Sequence, residues 1–180
     1  CALPISYVFA ERELARNPII KPDYTFHMTL AAKIRIEMEY IESKQDGFEA
    51  SRWTDAVVEH LYAATKAETR RSREVLKTLK EQYPMVLVSN FYGNIATVLA
   101  EFGFDGIFQH IVESAVVGVR KPDPRIFTLG VEALGMQASE VLVVGDSYDK
   151  DIVAASKAGC HTVWIKGEGW TDDEPDGAAA

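Results

Sequence analysis

The chain predicts an α/β fold: a doubly wound, Rossmann-like parallel sheet with a small α-helical region ahead of it. Three observations carry this. From Pro84 onward, short apolar runs alternate with stretches at helical spacing. Val141 to Val144 is an apolar run that ends in Gly145 and releases a group of carboxylates, as strands of open α/β sheets do where ligands bind. Ahead of Pro84 the periodicity is helical.

In order, Ala31, Ile34, Met38 and Ile41 recur at helical spacing, as do Trp53, Ala56, Val57, His60 and Leu61, with Lys44-Gln45-Asp46-Gly47 as the turn between them. A third helix is expected near Glu68 to Gln82, with Val75, Leu76 and Leu79 inward and Pro84 ending it. Met85 to Val88 reads as a buried strand, and Ile95, Val98, Leu99 and Phe102 as a helix closed by Gly103. Ile111 to Ala115 is a weaker strand. Asp123 is placed to cap a helix with Pro124 at its first position and Gly135 past its end. Val141 to Val144 is the strongest strand, Asp151 to Ala158 the helix after it, and His161 to Ile165 another strand. Such alternation implies a parallel sheet covered on both faces. The organisation expected is a helical region over 1–70, the α/β core over 71–170, and an acidic, alanine-rich, disordered tail over 171–180.

With 180 residues, 47% hydrophobic and 26% charged, the chain suits one domain or one domain with an insertion. A net charge of −8 argues against nucleic acid or an anionic membrane as the main partner, while leaving room for a local cationic site. The two cysteines, Cys1 and Cys160, form no framework, so a reducing cytoplasm is expected. No apolar run approaches the roughly 18 residues needed to span a bilayer. Cys1 to Ser6 lacks the basic start and apolar centre of a signal peptide, and the absence of an initial methionine suggests that the natural start lies upstream.

Three positions could carry chemistry. Ser89-Asn90 follows the strand ending at Val88, where a hydroxyl and free amides cradle phosphate; a capped turn is the plainer alternative. Lys121 sits in the proline-stiffened Val119-Arg120-Lys121-Pro122-Asp123-Pro124, where its ammonium can neutralise phosphate or a carboxylate; a solvated basic loop is the alternative, and suits Arg120. Asp146 stands at a strand tip with Asp151 in the first turn of the next helix, which favours a carboxylate. Together with Asp149 these carboxylates call for a cation, and Mg2+ takes oxygen ligands and pairs with phosphate. Helix capping, including by Ser147, is the alternative, and Asp149 is assigned to cap or solvent. His27, His60, His110 and His161 are assigned to core or surface, and Trp53, Trp164 and Trp170 to packing.

The order Ser89, Lys121, Gly145-Asp146 and Asp151 resembles the second to fourth motifs of the haloacid dehalogenase superfamily, specifically the members with a helical cap. The likeness runs from about Glu74 to Lys166. The resemblance implies that Ser89 and Asn90 bind the transferring phosphoryl group and that Lys121 neutralises phosphate and nucleophile. It further implies that Asp146 ligates Mg2+ and that Asp151 orients the lysine or a metal-bound water. A hydrolase follows, acting as a phosphatase on a small phosphorylated metabolite, with the helices before Arg70 as the cap.

Family members open with an apolar strand ending in Asp-x-Asp, the first aspartate being the nucleophile. Nothing here matches it: Ile5 to Phe9 is strand-like but runs into Ala10-Glu11-Arg12-Glu13, and Asp23 follows Lys21-Pro22. By resemblance the first central strand is missing, this chain alone is inactive, and the strands ending at Val88 and Gly145 stand roughly 10 Å apart, two ladder spacings, without pairing. A dehalogenase, which needs no metal, a phosphomutase, and a non-catalytic binding protein on the same fold remain open alternatives. A receiver domain would need an acidic pocket early in the chain. Oligomeric state and substrate leave no signal.

Overall fold

The computed structural model describes residues 3–166, with side chains from residue 5. Trp170 and the expected tail over 171–180 lie outside the described residues. The chain divides into two compact units, Cys1–Tyr83 with Tyr92–Ile107, and Pro84–Phe91 with Phe108–Ala180. These limits differ from the boundary at residue 70 drawn from periodicity.

The first unit is helical: α1 (Leu3–Arg16), α2 (Phe26–Glu42), α3 (Ala50–Leu79) and α4 (Ile95–Glu101). Ile5 to Phe9 is therefore helix and not strand. Ser6, Ala10 and Leu14 are buried at i, i+4 and i+8, and the Ala10 to Arg16 run of good helix formers carries the apolar residues with it. The two helices expected between Trp53 and Gln82 are one, because no glycine or proline interrupts Ala50 to Leu79. Its buried face is Ala50, Thr54 and Val58, so Trp53 is 49% and Val75 60% exposed, and His60 lies on the solvent side. Ile34 and Met38 of α2 pack against Ala50 and Val58 of α3. Phe26 and Tyr62 stack with centroids 6.4 Å apart, Phe102 closes the group, and the Glu101 carboxylate accepts from the Phe26 amide and, at 2.9 Å, from the Tyr62 hydroxyl. Asn94 is 1% exposed, and its amide donates to Tyr24 O and Thr29 Oγ1, each at 2.8 Å.

The second unit carries the strands: β1 (Val86–Ser89), β2 (His110–Glu113), β3 (Leu142–Gly145) and β4 (His161–Trp164). Ser114, expected in the second strand, instead begins the short helix α5 (Ser114–Val117). β1 pairs with β2 in parallel, Ser89 opposite Glu113, and β3 with β4, Gly145 opposite Trp164. The two pairs are separate two-stranded sheets, and β1 and β3 are not hydrogen-bonded neighbours. Helix α6 (Arg125–Leu134) covers β1 and β2. Gly130 makes that approach possible, since a Cβ there would stand 3.0 Å from Val88 Cγ2. Ile126, Phe127 and Val131 join Val112, Ala154, Ala155 and Cys160 in one core. Burial pushes the Cys160 thiol pKa up.

In the β3–β4 pair one of the two faces expected to be covered is open among the described residues. Leu142 and Val144 of β3 and Val163 of β4 share the other face and are 58%, 55% and 42% exposed. The helix expected over Asp151 to Ala158 begins earlier, as a π-turn over Tyr148–Val153 that continues into α7 (Ala154–Lys157). Ser147 does not cap it with its side chain.

Candidate active site

All five candidate residues lie in the α/β unit, at or just beyond the carboxyl ends of β1 and β3 or in the loop ahead of α6. Ser89 is the last residue of β1 and is half-buried; its hydroxyl has no hydrogen bond among the described residues. Asn90 turns toward the loop before α6. Its side-chain amide donates to Lys121 O at 3.0 Å, and the Lys121 amide donates to Asn90 Oδ1 at 2.8 Å. One side chain thus engages both peptide groups of the lysine, which fixes the root of a long flexible side chain.

The lysine ammonium then donates to Asp151 Oδ1 at 2.7 Å. Its side chain is 17% and that of Asp151 7% exposed, so this ion pair is largely removed from solvent. Asp151 does not sit in the first turn of an α-helix, as its spacing had suggested; it lies inside the π-turn, which aims its second oxygen back at the chain. Asp151 Oδ2 accepts the Ser147 amide at 3.1 Å. The fit depends on Gly145, because a Cβ there would stand 2.4 Å from Asp151 Cβ and 2.7 Å from Cγ. No larger residue fits without moving Asp151.

Asp146 is the first residue beyond β3. Its carboxylate is exposed and makes no hydrogen bond or ion pair among the described residues, while its carbonyl accepts from the Trp164 indole N–H at 3.1 Å. Asn90, Lys121 and Asp151 are therefore joined in one chain of contacts, and neither the Ser89 nor the Asp146 side chain is bonded into it. Arg120, Asp149 and Lys150 face solvent.

Periodicity and motif spacing missed three contributors. Ser114 Oγ accepts the Phe91 amide at 3.2 Å and steadies the loop leaving β1. Trp164, read as packing alone, holds Asp146, and Tyr148 lies against the Trp164 ring with centroids 5.1 Å apart. An indole at the last position of a strand carries no local signal of the carbonyl it reaches.

The described geometry gives an ammonium held between Asn90 and Asp151, a hydroxyl without a hydrogen bond at the end of β1, and an exposed carboxylate just beyond β3. The family model for haloacid dehalogenase-like hydrolases matches residues 7–159. The chain belongs to that family.

Among curated relatives, it is 40% identical over 77 residues to the glyceraldehyde 3-phosphate phosphatase of Methanopyrus kandleri, covering 43% of this chain and 33% of that protein. It is 27% identical over 176 residues to the phosphoglycolate phosphatase of Aliivibrio fischeri, covering 94% of this chain and 69% of the relative. The matched stretch is thus a third of the first relative's length. Among solved structures, a dehalogenase with an intermediate complex superposes with a TM-score of 0.62 at 19% identity, over 93% of this chain and 73% of that one. A subfamily IA hydrolase of the superfamily from Geobacter sulfurreducens gives 0.53 at 23% identity, over 91% and 80%. These two show the shared fold.

The donor set also speaks to the metal expected in this family. Asp146 offers a hard oxygen ligand with no competing partner, which suits Mg2+. Among the described residues no group of three or more acidic, histidine or cysteine side chains could hold an ion, so a site at Asp146 would need further ligands.

Proposed function

We propose that this chain carries the phosphate-handling half of a Mg2+-dependent phosphatase that acts on a small phosphorylated metabolite through an aspartyl-phosphate. The observation that supports it is the Asn90–Lys121–Asp151 chain of contacts, which holds one ammonium at the carboxyl edge of a parallel α/β unit. Relatives named as phosphatases of glyceraldehyde 3-phosphate, phosphoglycolate and phosphoserine favour a small phosphorylated substrate.

In this scheme Ser89 and the amides after β1 hydrogen-bond the non-bridging oxygens of the phosphoryl group. Lys121 neutralises the charge that spreads over those oxygens as the phosphorus is attacked. Asp151 keeps the ammonium aimed. Asp146 would hold Mg2+, which supplies further neutralisation of phosphate charge. The attacking aspartate belongs, on this proposal, to a parallel strand lying between β1 and β3, an arrangement that requires those two not to pair with each other, as they do not. The helical unit is assigned the cap's role of substrate selection in this scheme. The unpartnered Asp146 carboxylate favours a phosphatase over a dehalogenase, which has no need of a metal ligand.

The test has two parts. The 180 residues should bind inorganic phosphate with Mg2+ and lose that binding in Lys121→Met, yet hydrolyse p-nitrophenyl phosphate no faster than buffer. A longer product of the same gene that adds a strand ending in Asp-x-Asp should turn it over. Turnover by the 180 residues that Asp146→Ala abolishes would refute the need for an added aspartate. No phosphate binding by any form would refute the proposal.

A further inference from the structure

We infer that Trp164 is a positioning residue for Asp146: its indole N–H and the Asp151 carboxylate clamp the Asp146–Ser147 peptide plane from opposite edges. The β3–β4 ladder runs out at this point. Its last rung is the Ile165 amide donating to Gly145 O at 2.8 Å, and Gly145 stands opposite Trp164. Asp146 lies one residue beyond that rung, where the backbone no longer supplies a donor. The Trp164 side chain supplies it, with Nε1 3.1 Å from Asp146 O.

The other edge of the same peptide is the Ser147 N–H, which donates to Asp151 Oδ2 at 3.1 Å. Carbonyl and amide belong to one rigid plane, so two partners on opposite edges fix its rotation. With Asp146 leaving the last rung of the ladder on its other side, that clamp fixes ψ of Asp146 and so holds its Cα–Cβ bond, the root of the side chain. The carboxylate itself is exposed and unbonded, so a ligand would have no partner to displace. Such pre-organisation lowers the ordering cost of binding. Trp164 is itself seated by the Tyr148 ring at 5.1 Å and by Lys166 Nζ at 5.3 Å from its own ring. Tyr148 and Asp151 come from one π-turn, so both arms of the clamp are anchored in it. A phenylalanine would keep an aromatic ring there, smaller than the indole and without the donor.

The inference rests on Asp146 being the Mg2+ ligand, and the experiment separates the two. In an amide NMR titration with Mg2+, the Ser147 amide and the Trp164 indole N–H should move along one isotherm. Trp164→Phe should raise the apparent Kd about tenfold, the lower end for losing a group that supports a metal ligand, with the melting temperature and remaining spectrum retained. Tyr148→Leu should weaken binding less, and Trp53→Phe not at all. A wild-type chain that shows no Mg2+ shifts refutes Asp146 as ligand, and the positioning role with it. Wild-type shifts with an unchanged Kd in Trp164→Phe refute the positioning role alone. Should Trp164→Phe fail to fold, the wild-type indole resonance decides: immobility while Ser147 moves overturns the inference.

Discussion

Lys121 reaches Asp151 with its ammonium, 2.7 Å from Oδ1, while Asn90 holds both peptide groups of the same lysine at 2.8 and 3.0 Å. The residue is fixed at both ends by groups that follow two different strands. Without the first contact the ammonium would swing, and without the second the whole loop would.

The Lys121–Asp151 pair should behave as a coupled unit. Either partner left alone is a nearly buried charge, so Lys121→Met and Asp151→Leu should each cost more than half of what the double variant costs. A double-mutant cycle by urea unfolding should give a coupling of about 1–3 kcal/mol. Strict additivity would contradict the burial and geometry described.

Gly145→Ala should be poorly tolerated. The new methyl would meet Asp151 Cβ at 2.4 Å and force the carboxylate away from Lys121 and Ser147. We expect a loss of about 1–3 kcal/mol in denaturant unfolding, with a displaced Ser147 amide resonance. Wild-type stability with an unmoved resonance would count against the close approach.

Asn90→Ala removes two hydrogen bonds at once and leaves the Lys121 amide and carbonyl without them. The expected loss is about 2 kcal/mol, near 1 kcal/mol for each bond. Faster hydrogen exchange at the Lys121 amide is the direct measurement, and unchanged exchange would show that the loop is held by other means.

Glu37 provides the pH dependence. Burial between helices raises its carboxyl pKa, Glu11 adds to the rise, and Lys33 opposes it. The folded chain therefore holds this proton more tightly than the unfolded chain does. The contribution to stability is favourable below the ordinary carboxylate range and is lost as pH rises through the elevated folded value. Glu37→Gln should melt higher than wild type at pH 7 and close to it at about pH 4. An equal difference at both values would remove Glu37 as the cause.

Much of the α/β unit was legible because its signals are local. Apolar runs marked β1 and β3 to within a residue, Gly135 took the left-handed conformation expected past a helix end (φ 65°), and Lys121 and Asp151 meet as an ion pair. Where local signals were ambiguous, packing overrode them. Ile5 to Phe9 suits a strand or a helix equally, and the burial of Ser6, Ala10 and Leu14 chose the helix.

By itself the sequence determined the fold class, the order of the elements in the α/β unit, and which side chains stand at its strand tips, since each depends on periodicity and spacing along the chain. Only the tertiary structure decided that the strands form two separate parallel pairs, that Asp151 faces both Lys121 and Ser147 from a π-turn, and that Trp164 reaches the Asp146 carbonyl. Those contacts join residues 4 to 30 positions apart. They come from hydrogen bonds that form only once strands and loops have met, and nothing in the local pattern encodes such partners.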